Sequence, residues 1–220
     1  MCGRMRWVLL AAVVSAGCVR PPDLTAPHGE AHHRFDDPEA WAKAFEDPSR
    51  DSWQMPDEVI RALALPPDAA MADLGAATGY FTARFARVLP QGVVYGVDVE
   101  SSMVEYLKKR VEREKLANVV PVLAAFDDPK LPKPVDLVLI VNTYHHLDQR
   151  PAYFQRLLAS LEPKGRVAII DFTKTSKMGP PVEAKLGPEV VEQELTQAGY
   201  VKAATFAFLP EQYFLVFQKP

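Results

Sequence analysis

The nine residues D-L-G-A-A-T-G-Y-F, Asp73 to Phe81, decide the fold. They read as the end of a buried strand, a tight glycine turn and the start of a helix. Gly75 can take backbone angles closed to other residues. Gly79 lets the helix start pack closely while its neighbours present N–H groups. Ala77 stands where a third glycine would complete the pattern. Its methyl group is small, and the loop is expected to survive with Ala77 at negative φ.

Outward from this turn the chain alternates strands and helices. Ala69 to Leu74 is a small apolar strand. Tyr80 to Leu89 is a helix with Phe81, Phe85 and Val88 on one face and Arg84 and Arg87 opposite. Strands follow at Val93–Val97 and Val119–Leu123. Between them a helix opens on a Ser102/Glu105 capping box and faces inward through Met103, Leu107 and Val111. V-D-L-V-L-I-V, Val135 to Val141, is nearly continuously apolar, as a central strand covered on both faces should be. A helix over Pro151–Leu161, a turn at Pro163-Lys164-Gly165 and a fifth strand over Val167–Ile170 come next. Pro188 to Ala198 is a helix. Val201–Phe208 and Tyr213–Phe217 are strands joined by a link so short that only a hairpin fits, so one of them runs antiparallel. Ahead of the alternation, helices start at Asp36-Asp37-Pro38, with Ala40, Trp41, Ala44 and Phe45 on one face, and at Pro56, with Val59, Ile60 and Leu63 inward. Such alternation requires crossover helices. It predicts an α/β fold with a seven-stranded, mostly parallel sheet, helices on both faces and one antiparallel strand near the edge.

In an open parallel sheet, ligands bind at the carboxyl ends of the strands, where the Gly75–Gly79 loop lies. Asp98 ends the second strand about twenty residues on, and a carboxylate there can accept both hydroxyls of a ribose. A dinucleotide would need G-x-G-x-x-G and a pyrophosphate on the helix N-terminus. The spacing here is G-A-A-T-G, and Asp73 would sit poorly beside phosphate; a nicotinamide-dependent oxidoreductase is accordingly a distant reading. Asp73 suits a positively charged ligand. S-adenosylmethionine carries an ammonium and a sulfonium and no phosphate.

With D-L-G-A-A-T-G, V-Y-G-V-D-V-E-S-S-M, V-D-L-V-L-I-V-N-T-Y-H-H-L and L-E-P-K-G-R-V-A-I-I-D-F in this order, the chain resembles the class I S-adenosylmethionine-dependent methyltransferases, in particular the small UbiE/Methyltransf-11-like group. The resemblance covers roughly Pro56 to Phe217 and implies a Rossmann-like three-layer sandwich. It implies that Asp73, Gly75, Ala77 and Gly79 hold the methionine part and Asp98 the ribose. Val99 and Met103 would pack near adenine, and Asn142 would face the reactive end. Two departures stand out. Ala77 replaces the middle glycine of D-x-G-x-G-x-G. The third strand ends V-L-A-A-F-D-D-P, with Ala125 where the group commonly places an acid on the adenine amino group. Asp127 is a candidate substitute from further along.

Methyl transfer is an in-line displacement, and positioning supplies much of its acceleration. A base is needed only when the acceptor must lose a proton. Tyr144, His145 and His146 follow the fourth strand, and His145 or His146 is a candidate base. The plainer reading, polar residues filling a loop before a helix, is favoured on sequence. Asn142-Thr-Tyr-His is not N-P-P-Y, so the signature of amino-group methylation on nucleobases or glutamine is absent. Trp53 and Gln54 are candidates for a pocket lid, with simple packing an equal reading for Trp53. Asp171 ends the fifth strand as a pocket edge or a helix cap.

The 220 residues carry a net charge of −3 and no long basic run, which gives no nucleic-acid surface. The two cysteines, Cys2 and Cys18, both lie in the first eighteen residues, so no disulfide framework or cysteine-rich metal site is expected in the main domain. Residues 1–18 pair a basic start with a short apolar run and small residues before Cys18, the pattern of a secretory signal. Ser15-Ala16-Gly17-Cys18 resembles the bacterial lipoprotein signal, in which the cysteine is lipidated; Ser15 departs from the usual Leu. Residues 19–34 read as a flexible linker long enough to reach about 50 Å. His28, His32 and His33 in it lack framing carboxylates or cysteines and are read as solvated, not metal-binding. Residues 35–66 are expected to form N-terminal lid helices and 67–220 the methyltransferase domain.

The expected function is therefore methyl transfer from S-adenosylmethionine to a small-molecule or lipid-like acceptor by a membrane-anchored bacterial lipoprotein. It would face the periplasm if exported, or the cytoplasm if not. A cytosolic cofactor and an export signal pull in opposite directions. The alternative is a catalytically silent, membrane-tethered module that binds a ligand or a protein on the same fold.

Overall fold

The computed structural model describes residues 37–220. The signal, Cys18 and the linker lie outside them. Helix α1 (Pro38–Phe45) opens on Asp37, whose side chain accepts from the Ala40 N–H at 3.1 Å. Trp41 stacks on Phe45 with ring centroids 5.3 Å apart, whereas Ala40 and Ala44 are exposed, so the expected apolar face is only half covered. Helices α2 (Asp51–Gln54) and α3 (Pro56–Leu63) follow, the latter burying Val59 and Leu63 completely.

The core is a seven-stranded sheet in the order β3-β2-β1-β4-β5-β7-β6, formed by β1 (Ala70–Leu74), β2 (Val93–Asp98), β3 (Val119–Leu123), β4 (Val135–Val141), β5 (Leu161–Phe172), β6 (Val201–Phe206) and β7 (Gln212–Gln218). The first five pair in parallel. β7 runs antiparallel between β5 and β6, as the short hairpin requires. Helices α4 (Tyr80–Val88) and α5 (Ser101–Glu114) join α3 on one face. Helices α6 (Arg150–Leu157) and α7 (Pro188–Gln197) cover the other. The layers meet through β4, where Val138 and Ile140 enter one core and Leu137, Leu139 and Val141 the other. Asp136 interrupts this apolar run for a local reason. Its carboxylate accepts the Ala70 N–H at 2.9 Å and so fixes the start of β1.

The structure corrects several details. Val88 is 45% exposed rather than part of the inner face of α4. Ser102 lies inside the first turn of α5 and does not cap it. Glu100 is the N-cap and gives no side-chain cap; Asp98, just ahead, accepts the Glu100 N–H at 3.0 Å and so fixes the approach to the helix. Leu161 belongs to β5 and not to the preceding helix. Pro163-Lys164-Gly165 is no separate turn but an irregularity inside β5, where pairing jumps from Val135↔Leu161 to Leu137↔Arg166. Pro163 cannot donate to the ladder, and the strand absorbs it as extra residues.

Candidate functional site

A cleft of about 1050 Å³ runs along the carboxyl ends of β1, β2, β3 and β4. Its floor is the Asp73–Tyr80 turn. Gly75 (φ +77) and Gly79 (φ +89) are both left-handed. A Cβ on Gly75 would overlap the Thr143 side chain, and one on Gly79 would come within 2.6 Å of Leu107. Both glycines are therefore required by backbone angle and by space. Ala77 does not keep negative φ. It sits at +46, in the region a glycine would occupy without strain. It is held there because its N–H donates to Asp98 Oδ2 at 2.8 Å, while Gly75 N–H and Ala76 N–H share the Val97 carbonyl.

Asp98 thus anchors the loop with one oxygen and the start of α5 with the other. Ionised, it retains acceptor capacity for two further hydroxyls. Burial raises its pKa, against the backbone hydrogen bonds from Glu100 and Ala77. Asp73 is 4% exposed, and burial pushes its carboxyl up to about 6, although the Thr82 hydroxyl donates to it at 2.6 Å. Val99 and Met103 line the cleft beside Asp98, as does Ala125 at the end of β3. Asp127 does not. It is exposed at the tip of a tight turn closed between Ala125 and Asp128, and Phe126 lines the cleft in its stead.

Arg50 was not legible as a site residue. It lies among charged and polar neighbours in D-P-S-R-D-S-W and looks like a solvated surface residue. In the fold it lines the cleft, with its guanidinium 3.9 Å from the centroid of Tyr80, donating to the Phe45 carbonyl and to Gln54 Oε1. Burial lowers its pKa to about 10, opposed by the fields of Tyr80 and Asp73. Arg50 Nε and Thr78 Oγ1 are buried polar atoms without a hydrogen-bond partner in the protein, and both residues line the cleft. Such atoms are costly unless a ligand completes them.

Asn142, at φ +55 after β4, lines the cleft and is held from behind. Gln54 Nε2 donates to Gln212 Oε1 at 2.5 Å, and Gln212 Nε2 donates to Asn142 Oδ1. Gln54 and Gln212 are 0% and 3% exposed. The run of donors leaves Asn142 Nδ2 as its remaining donor. Gln54 therefore acts one layer behind the cleft, and Trp53 packs on Phe172 with centroids 5.8 Å apart; neither lines the cleft.

The two histidines part company. His146 is exposed. The His145 side chain is 5% exposed and lines the cleft, with Nδ1 at 2.8 Å from Asp171 Oδ2. Asp171 is equally buried, and its Oδ1 accepts the Phe172 N–H at 2.8 Å.

Residues 71–165 match a family model described as a methyltransferase domain. The fold is shared with a S-adenosylmethionine-dependent methyltransferase from Aquifex aeolicus, at 25% identity and a TM-score of 0.77, over 84% of this chain and 99% of that one. A ubiquinone/menaquinone biosynthesis C-methyltransferase of Pseudomonas putida is 31% identical over 48% of this chain and 43% of its own length. A malonyl-[acyl-carrier protein] O-methyltransferase of Priestia megaterium is 22% identical over 47% and 36%. The chain spans less than half the length of these curated relatives. Family match, fold and cradle together mark the cleft as a site of the S-adenosylmethionine type.

The residues present fit that cofactor. Arg50 Nε is an orphaned donor suited to its carboxylate, and Asp73 offers negative charge to its cationic end. Asp98 has acceptor capacity for the ribose.

Proposed function

We propose that the protein transfers a methyl group from S-adenosylmethionine to a small-molecule or lipid-like acceptor. The observation that carries this reading is the left-handed glycine cradle closed by Asp98, in a cleft also lined by Arg50 and Thr78, which carry the unpartnered buried atoms Nε and Oγ1. Arg50 would hold the amino-acid carboxylate, Asp98 the ribose, and Val99, Met103 and Phe126 the adenine. Asn142 Nδ2 would orient the reacting end. When bound, the cofactor supplies an electrophilic methyl: the acceptor's lone pair bonds to the methyl carbon as the sulfur–carbon bond breaks, and that pair stays on sulfur. The side chains of the cleft then act chiefly by alignment and by excluding water. Incubation of the full chain with methyl-labelled S-adenosylmethionine and fractionated bacterial small molecules and lipids tests this. Label should enter a product in the wild type and not in Gly75→Val. A silent binding module would bind the cofactor and label nothing.

We further propose that Cys18 carries a lipid that tethers the domain to a membrane. Cells fed labelled palmitate should label the wild-type chain and not Cys18→Ala; an unlabelled wild type would contradict the tether.

A further inference from the structure

We propose that His145 and Asp171 form a base dyad and that the acceptor is therefore a weakly acidic hydroxyl, of phenol or enol type. The proposal rests on the methyl-transfer reading above. A group that accepts a methyl through a free lone pair, such as an amine, needs no base before attack; a hydroxyl becomes a strong nucleophile only as its proton leaves. The cleft contains a buried imidazole whose Nδ1 is tied to a buried carboxylate 2.8 Å away. An ionised Asp171 accepts only, so Nδ1 carries the proton and Nε2 keeps its lone pair in the neutral ring.

The second observation is the charge around the dyad. The cleft is lined by the carboxylates of Asp73, Asp98, Glu100, Asp148 and Glu183, against one guanidinium, Arg50, which belongs to the amino-acid end. The groups facing His145 are Asp171 from β5 and His146 from its own turn; across the β5–β7 pairing Asp171 in turn lies opposite Tyr213, whose buried hydroxyl has no partner in the protein. Burial raises the Tyr213 pKa, so it stays neutral. Among these groups no cation waits for an acceptor carboxylate. An uncharged acceptor with an acidic hydroxyl fits.

In the step, Nε2 of His145 takes the hydroxyl proton and the O–H pair remains on oxygen. That oxygen bonds to the methyl carbon while the carbon–sulfur pair goes to sulfur. Asp171 stabilises the imidazolium until solvent removes the proton. Asp171 touches neither substrate nor cofactor; it is a positioning residue.

Asp171→Asn separates this from a structural role. The Phe172 N–H keeps an oxygen at the Oδ1 position, 3.1 Å from Nδ1, so the new amide sets its NH₂ at the closer 2.8 Å position and favours the opposite tautomer, with the proton on Nε2. Nitrogen-15 NMR of His145 should show Nδ1–H in the wild type and Nε2–H in Asp171→Asn. S-adenosylhomocysteine release should be measured with matched para-substituted phenols and anilines across pH, alongside binding of S-adenosylhomocysteine. We expect phenols to be methylated, with a pH–rate profile that differs between the wild type and His145→Asn. His145→Asn and Asp171→Asn should lose about 10²- to 10⁴-fold in kcat with product affinity unchanged. No phenol methylated, phenol transfer in His145→Asn within threefold of wild type, or an Nε2–H tautomer in the wild type would each overturn the proposal. A wild type that does not bind S-adenosylhomocysteine would instead sink the methyl-transfer reading beneath it.

Discussion

Ala77 is a residue under strain, and the strain is informative. At φ +46 an alanine is less favourable than a glycine, so Ala77→Gly should stabilise the protein by about 0.5–1 kcal/mol in urea unfolding and leave cofactor affinity equal or better. Gly75→Val should abolish binding, because the new side chain would overlap Thr143. Asp73 is a second residue held in an unfavourable state, a carboxyl buried at the floor of the cleft. Folded, it holds a proton up to about pH 6; unfolded, only to about its ordinary 3.8. Its stabilising contribution is therefore complete below 3.8 and lost as pH rises through about 6, a difference on the order of 2–3 kcal/mol. Asp73→Asn should lack this pH dependence, so the wild-type-minus-mutant stability should fall as pH rises from about 3.8 to about 6. A cationic ligand favours the ionised carboxylate, so wild-type affinity should rise with pH through about 6 and flatten in the mutant, as calorimetry at several pH values would show.

At the scale of elements, the short N-terminal helices are fastened to the cleft. Asp51 of α2 accepts from the Tyr80 hydroxyl and pairs with Arg84 at 2.8 Å, so α2 is latched to α4. Gln54, also of α2, links Arg50 to Gln212 and on to Asn142. Gln54→Leu would strand the Gln212 amide oxygen and one Arg50 N–H. It should cost about 1–3 kcal/mol in urea unfolding and weaken cofactor binding several-fold although residue 54 does not line the cleft. Equal affinity in Gln54→Leu would contradict that coupling.

Across the whole molecule, strand order and the reversed β7 were legible because apolar runs, glycine turns and a four-residue hairpin link leave few alternatives. The glycine cradle, Asp98 and Asn142 were legible through their places at strand ends. Arg50, Gln212 and the His145–Asp171 pair were not, because each takes its place around the cleft only through a neighbour distant in sequence: Asp73, Gln54 and, across 26 residues, Asp171. Asp127 misled because a tight turn between Ala125 and Asp128 turns it outward and leaves Phe126 at the cleft. The central claim is that this cleft binds S-adenosylmethionine. Calorimetric titration of the full chain with S-adenosylhomocysteine tests it most directly. One saturable site at micromolar ligand, absent in Gly75→Val, is the predicted result; no heat at high-micromolar ligand, or unchanged binding in Gly75→Val, would contradict it.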